Sequence, residues 1–336
     1  MDEYACEPLN TVLNNCDIQV PVYLDQNVFS RLQEDDVARQ DTLDLLRLMN
    51  SKGAIFAYSM IHVAECRDSE KPEIFVAAIE AISAYFLEES SVTDTKITLS
   101  PNRAGELILR EPDILDEAGW IMEYLLKPIH FSTGWLGETE TQELQDELIA
   151  GVVSFWNRFE KEIPNGKTFS DAGKSEMIKV VNTIPLQRLA DEGRDSNQRF
   201  RKNLPQNYAQ LDAVKADEVV EYLFSRLPEN EQLPIKNTYP PEFWSKVEIR
   251  KEGDLASLAF LLFLMGLVRD SRVRNKERRR SEQHFRGQFR DCQHIEAAAR
   301  CSIFITFDKG AARLAKAVYA YAGVKTEVFL LSVLKS

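Results

Sequence analysis

The sequence predicts an α/β fold in which the two ends of the chain build one parallel sheet around an all-helical insertion. Three observations lead to this reading. Residues 18–24 form a β-branched and aromatic run that stops at Asp25 and gives way to a helical pattern. The tail repeats the arrangement, with a helical stretch carrying Asp291, a strand over residues 302–307, and then Asp308. Between the ends, apolar positions recur at helical rather than strand spacing.

Taken in order, Val28, Leu32, Val37, Leu43, Leu46 and Met49 predict one helix, or two with a break near Asp35 and Asp36, ended by Lys52 and Gly53. Residues 54–58 read as a second buried strand, and Ser59 as the N-cap of a helix carrying His62 and Glu65. Residues 73–88 predict a helix with Pro72 in its first turn, and residues 95–99 a short third strand before Pro101. Helical patterns then run over about 113–127, 139–162, 171–191, 207–227 and 253–270. Proline and glycine clusters at 127–128, 163–166 and 233–241 separate them. The chain closes with a helix over 309–322 and a β-branched strand over 326–331. The division expected is 18–101 and 284–336 for the sheet-bearing domain and 102–283 for the helical insertion.

A strand that ends in a carboxylate and turns into a helix places that acid at the sheet's carboxyl edge, where open α/β sheets hold ligands. A single such Asp is as well explained as a helix N-cap. Two of them, Asp25 and Asp308, with Asp291 on the intervening helix, form a pattern. The run Leu24, Asp25, Gln26, Asn27 and the strand end Thr306-x-Asp308 resemble the PIN-domain ribonucleases, whose first strand leads into an LDTN-like motif and whose later strand ends in T-x-D. The likeness covers the two ends of the chain and leaves the middle unmatched.

The resemblance implies a divalent-metal-dependent endoribonuclease with Asp25, Asp291 and Asp308 as direct or water-mediated ligands of Mg²⁺ or Mn²⁺. Glu65 completes the acidic quartet, as a further ligand or as the residue orienting the attacking water. Such ions want oxygen ligands, and two of them about 3.5–4 Å apart activate the water and neutralise the phosphoryl oxygens. Asn27 is placed to hold Asp25 or the backbone turn, and Thr306 lies on the strand face of Asp308. His62 and His294 each lie three residues from an acid, in position to orient a carboxylate or meet a phosphate, or simply to pack. The family also implies an RNA substrate and, by analogy, a toxin or defence effector whose insertion meets a regulatory protein or a second copy. The rival reading is a PIN-like scaffold that binds RNA or protein without cutting, its helical module serving assembly.

Composition bounds these readings. With 44% hydrophobic and 28% charged residues the chain is ordinary for a globular protein. A net charge of −12 argues against non-specific coating of nucleic acid but allows a metal-neutralised acidic site. The basic run over residues 269–280, which ends in Arg278, Arg279 and Arg280, is either an arm gripping phosphates or a solvated loop. Lys309, Arg313 and Lys316, on the helix after Asp308, are candidates for the RNA backbone on the same footing. The five cysteines, at positions 6, 16, 66, 292 and 301, show no zinc spacing and suit a reducing cytoplasm. Cys66 and Cys292 adjoin Glu65 and Asp291, but small buried hydrophobes are the expectation for both. No targeting signal is legible in the first residues, and the apolar stretch over 255–268 is too short to span a membrane.

Overall fold

The computed structural model describes residues 19–34, 37–88, 97–110, 126, 127, 129, 130, 133, 141–162, 166–188, 191–193, 195, 211–239, 253–268 and 278–331. Its centre is β1 (Val20–Leu24), followed by α1 (Gln26–Arg31), α2 (Val37–Ser51), β2 (Ala54–Tyr58), α3 (Met60–Arg67) and α4 (Pro72–Ala81). Next come β3 (Tyr85–Leu87), β4 (Leu99–Ser100), α5 (Ala104–Leu109), α6 (Thr141–Glu162) and α7 (Gly166–Thr183). The last third holds α8 (Val219–Phe224), α9 (Glu229–Thr238), α10 (Asp254–Leu264), α11 (Arg278–Ala298), β5 (Ile303–Thr306), α12 (Lys309–Ala322) and β6 (Glu327–Leu330).

The sheet order is β4-β3-β2-β1-β5-β6. All neighbours are parallel except β3 and β4, so the expected parallel sheet carries one antiparallel edge. Both ends of the chain share it, as the sequence predicts. Val20, Val22 and Leu24 alternate along β1 and, with Phe56, Ile303 and Ile305, pack on Phe29, Leu46, Met49 and Ile79 of the helices. Pro21 is tolerated in this central strand because β5 is only beginning beside it. Its carbonyl accepts Ser302 N at 3.0 Å, and ladder pairing starts at Val22.

Two expectations are corrected. The helix predicted over 73–88 stops at Ala81, and Tyr85–Leu87 forms the third parallel strand, pairing with β2. Ser83 makes the turn between them with φ 52°, a left-handed conformation that its residue type does not announce. The short strand expected near 95–99 is β4, the antiparallel edge at Leu99–Ser100. The second correction concerns residues 233–241, read as a punctuating cluster: α9 runs to Thr238 with Pro234 inside it and no buried residue. Of the pattern over 207–227, the helix described is α8, and the one expected over 113–127 lies mostly outside the described residues.

The chain divides into two compact units. One comprises residues 1–110, 207–269 and 289–336, and the other 111–206 and 270–288. The sheet unit thus takes in more chain than the two ends assigned to it, including α5, α8, α9 and α10. In the second unit α6 and α7 form a helical hairpin. Leu144, Leu148 and Val152, at steps of four, meet Val181 and Leu186. Gly173 admits the Trp156 ring so closely that a Cβ there would lie 2.3 Å from a ring carbon.

In the sheet unit, α10 starts at Gly253, which has φ 90° and no side chain to cap the helix. Glu296 of α11 supplies the cap, its two oxygens accepting Gly253 N at 2.5 Å and Ala256 N at 2.8 Å. Glu296→Ala is expected to orphan both amides at a cost of about 1–3 kcal/mol, read as a lower urea midpoint. An unchanged midpoint would mean that water replaces the carboxylate without loss.

Candidate active site

The strand order reverses direction at β1. The chain builds outward through β2 and β3, then returns to place β5 on the other side of β1. The crevice between the carboxyl ends of β1 and β5 is therefore the sheet's switch point. Asp25 follows β1 and Asp308 lies two residues past β5, so both acids stand at that crevice.

Asp25 is 2% exposed and caps α1. Its Oδ1 accepts Gln26 N at 2.8 Å, while Oδ2 accepts Asn27 Nδ2 and the Thr306 hydroxyl, each at 2.6 Å. The Thr306 hydroxyl also accepts Asp308 N at 2.9 Å, and thereby ties the two strand-end acids together. Asn27 closes the arrangement by accepting Phe307 N at 2.9 Å. Asn27 and Thr306 thus hold Asp25, the role expected for Asn27. Thr306 is more than a strand former.

Asp308 caps α12, its Oδ1 accepting Gly310 N at 2.5 Å and Ala311 N at 3.0 Å. A Cβ at Gly310 would lie 2.9 Å from that same oxygen and 2.8 Å from Val268 Cγ1, so the cap depends on glycine there. Of the two roles weighed for a strand-end Asp, each acid shows the helix cap.

Glu65 projects from the second turn of α3, at 17% side-chain exposure, and its Oε2 accepts His294 Nε2 at 2.9 Å. The two histidines therefore do not serve the acids of their own helices. His294 reaches across to Glu65 rather than pairing with Asp291, while His62 Nδ1 accepts Ser59 N at 3.0 Å and its Nε2–H donates to Leu24 O at 2.9 Å. At 0% and 1% exposure, His62 and His294 are too deep to meet a phosphate. Asp291 is half-buried on α11 beside Cys292.

Burial raises the Asp25 carboxyl above the usual carboxylate range, although the charge of His294 and the Thr306 hydrogen bond pull it down. Burial depresses His294, yet the Glu65 charge and hydrogen bond outweigh it and leave the imidazole above its ordinary value. His62, buried and next to His294, is held well below its ordinary value. Burial pushes the Cys66 thiol up to about 12 and the Cys292 thiol well above its usual value, which leaves both as packing groups.

The donor chemistry suits a hard divalent ion, but the arrangement does not. Among the described residues no group of three or more His, Cys, Asp or Glu side chains is placed to hold a metal. Asp25 and Asp308 are engaged in caps, and Glu65 is bound to His294. As they stand, Asp25 and Asp308 share one hydrogen-bonded network through Thr306, Glu65 belongs to another through His294, and neither network is an ion cage.

The basic candidates are scattered. Lys309 and Lys316 are exposed on α12, whereas Arg313 is paired with Asp212 and donates to Leu211 O at 2.8 Å. Arg278, Arg279 and Arg280 open α11, with side chains outside the described residues, as are residues 269–277. Among the described residues, no helix is long and apolar enough to cross a membrane. Sequence reasoning missed Tyr23, whose hydroxyl lies 2.8 Å from both Ser59 Oγ and His294 Nδ1. Its place two residues before Asp25, on the same strand face, was the available signal. No family model matches the chain, and neither does any curated protein or solved structure.

Proposed function

We propose that the chain is an endoribonuclease of PIN-like design, hydrolysing RNA phosphodiester bonds at the β1/β5 crevice with Asp25, Glu65, Asp291 and Asp308 as its acids. The observation that carries this reading is the shared Thr306 hydroxyl, which links Asp25 and Asp308 at the switch point of a largely parallel sheet. The reading is supported by Glu65 lying on the helix after β2 and Asp291 on the helix before β5.

When bound, Mg²⁺ or Mn²⁺ would supply water activation and charge neutralisation at the phosphate. Among the described residues no ion cage stands ready. The chain's own residues do the rest. Asn27 and Thr306 fix Asp25, α12 fixes Asp308 through its first amides, and the exposed Lys309 lies beside Asp308, in reach of a phosphate backbone. The reading also includes a cytoplasmic place of action and a regulatory or assembly role for α6 and α7.

A second reading has its own support. A PIN-like scaffold that binds RNA or protein without cutting agrees with the buried, fully bonded Asp25 carboxylate and with the lack of an ion cage among the described residues. Incubating the full chain with end-labelled single-stranded RNA separates the two. Cleavage is expected with Mn²⁺ or Mg²⁺ and none after chelation by EDTA, with activity restored by excess ion. RNA bound but uncut under every ion would favour the scaffold.

A further inference from the structure

Behind the crevice a chain of polar groups runs through the core. Ser59 Oγ and Tyr23 OH are 2.8 Å apart, Tyr23 OH and His294 Nδ1 are 2.8 Å apart, and His294 Nε2 meets Glu65 Oε2 at 2.9 Å. Tyr23 is fully buried and His294 nearly so, whereas Glu65 reaches solvent. Buried polar groups are costly unless bonded, and apolar residues of the same shape would pack here at no such cost. The chain has one outlet, and it is the acid.

We infer that Tyr23 and His294 are positioning residues that fix the Glu65 carboxylate at the crevice. The inference rests on the proposed nuclease reading and extends it to two residues that never touch substrate. A Glu on a helix surface has three torsions to settle, and a reacting carboxylate must be held close to one geometry. Here the holding group is itself held. Tyr23 grips the far nitrogen of His294, and the His62 ring lies edge-on against His294 with centroids 4.4 Å apart. His62 is pinned in turn by Ser59 N and Leu24 O.

The direction of the final bond does not depend on the charge of His294. In the neutral ring Tyr23 O–H donates to Nδ1, and Nε2–H donates to Glu65. In the charged ring Nδ1–H donates to the Tyr23 oxygen, Tyr23 O–H turns to Ser59, and Nε2–H still donates to Glu65. Ser59 Oγ also accepts Ile61 N at 3.3 Å and can turn its own hydrogen to His62 Nδ1 at 3.4 Å, so the hydroxyl can still accept from Tyr23.

Two readouts on the full chain test this. In imidazole ¹⁵N spectra the His294 Nε2 signal should move in Glu65→Gln and the Nδ1 signal in Tyr23→Phe; a His294 signal indifferent to Glu65→Gln overturns the inference, whatever cleavage shows. In RNA cleavage His294→Leu should lower kcat by about 10–100-fold, the usual loss when the partner of a working carboxylate is removed, with KM nearly unchanged. His294→Gln, whose amide reaches the place of Nε2, should recover most of that loss. Equal impairment in Leu and Gln, or a loss carried by KM, would reduce His294 to packing and overturn the inference. Should His294→Leu fail to fold, Tyr23→Phe carries the same kcat test. A wild-type chain that cuts no RNA would sink the nuclease reading alone, and the spectra would still decide whether Glu65 is held.

Discussion

Asp25→Asn is expected to lower RNA cleavage by at least about 100-fold, the scale seen when a group acting on the transition state is lost. The substitution keeps the size of the side chain and removes its charge. It also inverts one hydrogen-bonding atom. Oδ1 can still accept Gln26 N, but an amide nitrogen would replace Oδ2 and face two donors, Asn27 Nδ2 and the Thr306 hydroxyl. Neither partner can turn without loss. Asn27 holds Phe307 N through its oxygen, and Thr306 already accepts from Asp308 N. The mismatch should cost about 1–3 kcal/mol.

Stability against pH shows whether the charge itself is a burden to the fold. The folded-state pKa of Asp25 is raised above its unfolded value by burial. The stability from this group is therefore fully present below the unfolded value and is lost as pH rises through the folded one. Asparagine cannot ionise, so the advantage of wild type over the variant should shrink as pH rises from about 4 towards neutrality. Unfolding curves of both proteins across that range, beside cleavage assays, give the two answers separately. Full cleavage by a folded Asp25→Asn protein would remove Asp25 from the chemistry and the nuclease reading with it.

The parts of this fold that were legible in the sequence are those where local pattern and burial agree. Residues 309–322 begin after a capping Asp and end at Gly323 with φ 65°, and the helix occupies those residues. The runs before Asp25 and Asp308 are apolar at successive positions because β1 and β5 are covered on both faces. Tyr85 to Leu87 was misread because an apolar run can continue a helix as readily as start a strand, and the turn at Ser83 carries no glycine to announce it. At the crevice, the hydrogen-bonded link between Asp25 and Asp308 through Asn27 and Thr306 falls on residues that motif spacing singles out. The pairing of Glu65 with His294 was not legible in the sequence. It joins residues 229 positions apart, and local spacing suggested partners on the same helix instead.

The largest effect on stability should come from His62→Leu. The leucine fills much of the same volume but bonds neither to Ser59 N nor to Leu24 O, and so leaves a donor and an acceptor of the main chain buried without their present partner. At about 1–3 kcal/mol for each, the loss should be about 2–6 kcal/mol. The pH dependence of that loss tests the proton assignment. Burial, then the charge of His294, hold the folded-state pKa of His62 well below its unfolded value near 6.5, against the Leu24 hydrogen bond that raises it. A base depressed in the folded state contributes stability above the unfolded value and loses it as pH falls, because the unfolded chain takes up the proton first. The advantage of wild type over His62→Leu should thus shrink below about pH 6.5, by up to about 1.4 kcal/mol per pH unit. His294, whose pKa is raised, contributes with the opposite sign, and because its ring lies against His62 the comparison is repeated with His294→Gln in both backgrounds. Urea unfolding of the pair between pH 5 and 8 makes the comparison. If the advantage grew in acid instead, His62 would carry a proton on Nδ1 in the folded state, and the bond from Ser59 N that closes the start of α3 could not exist.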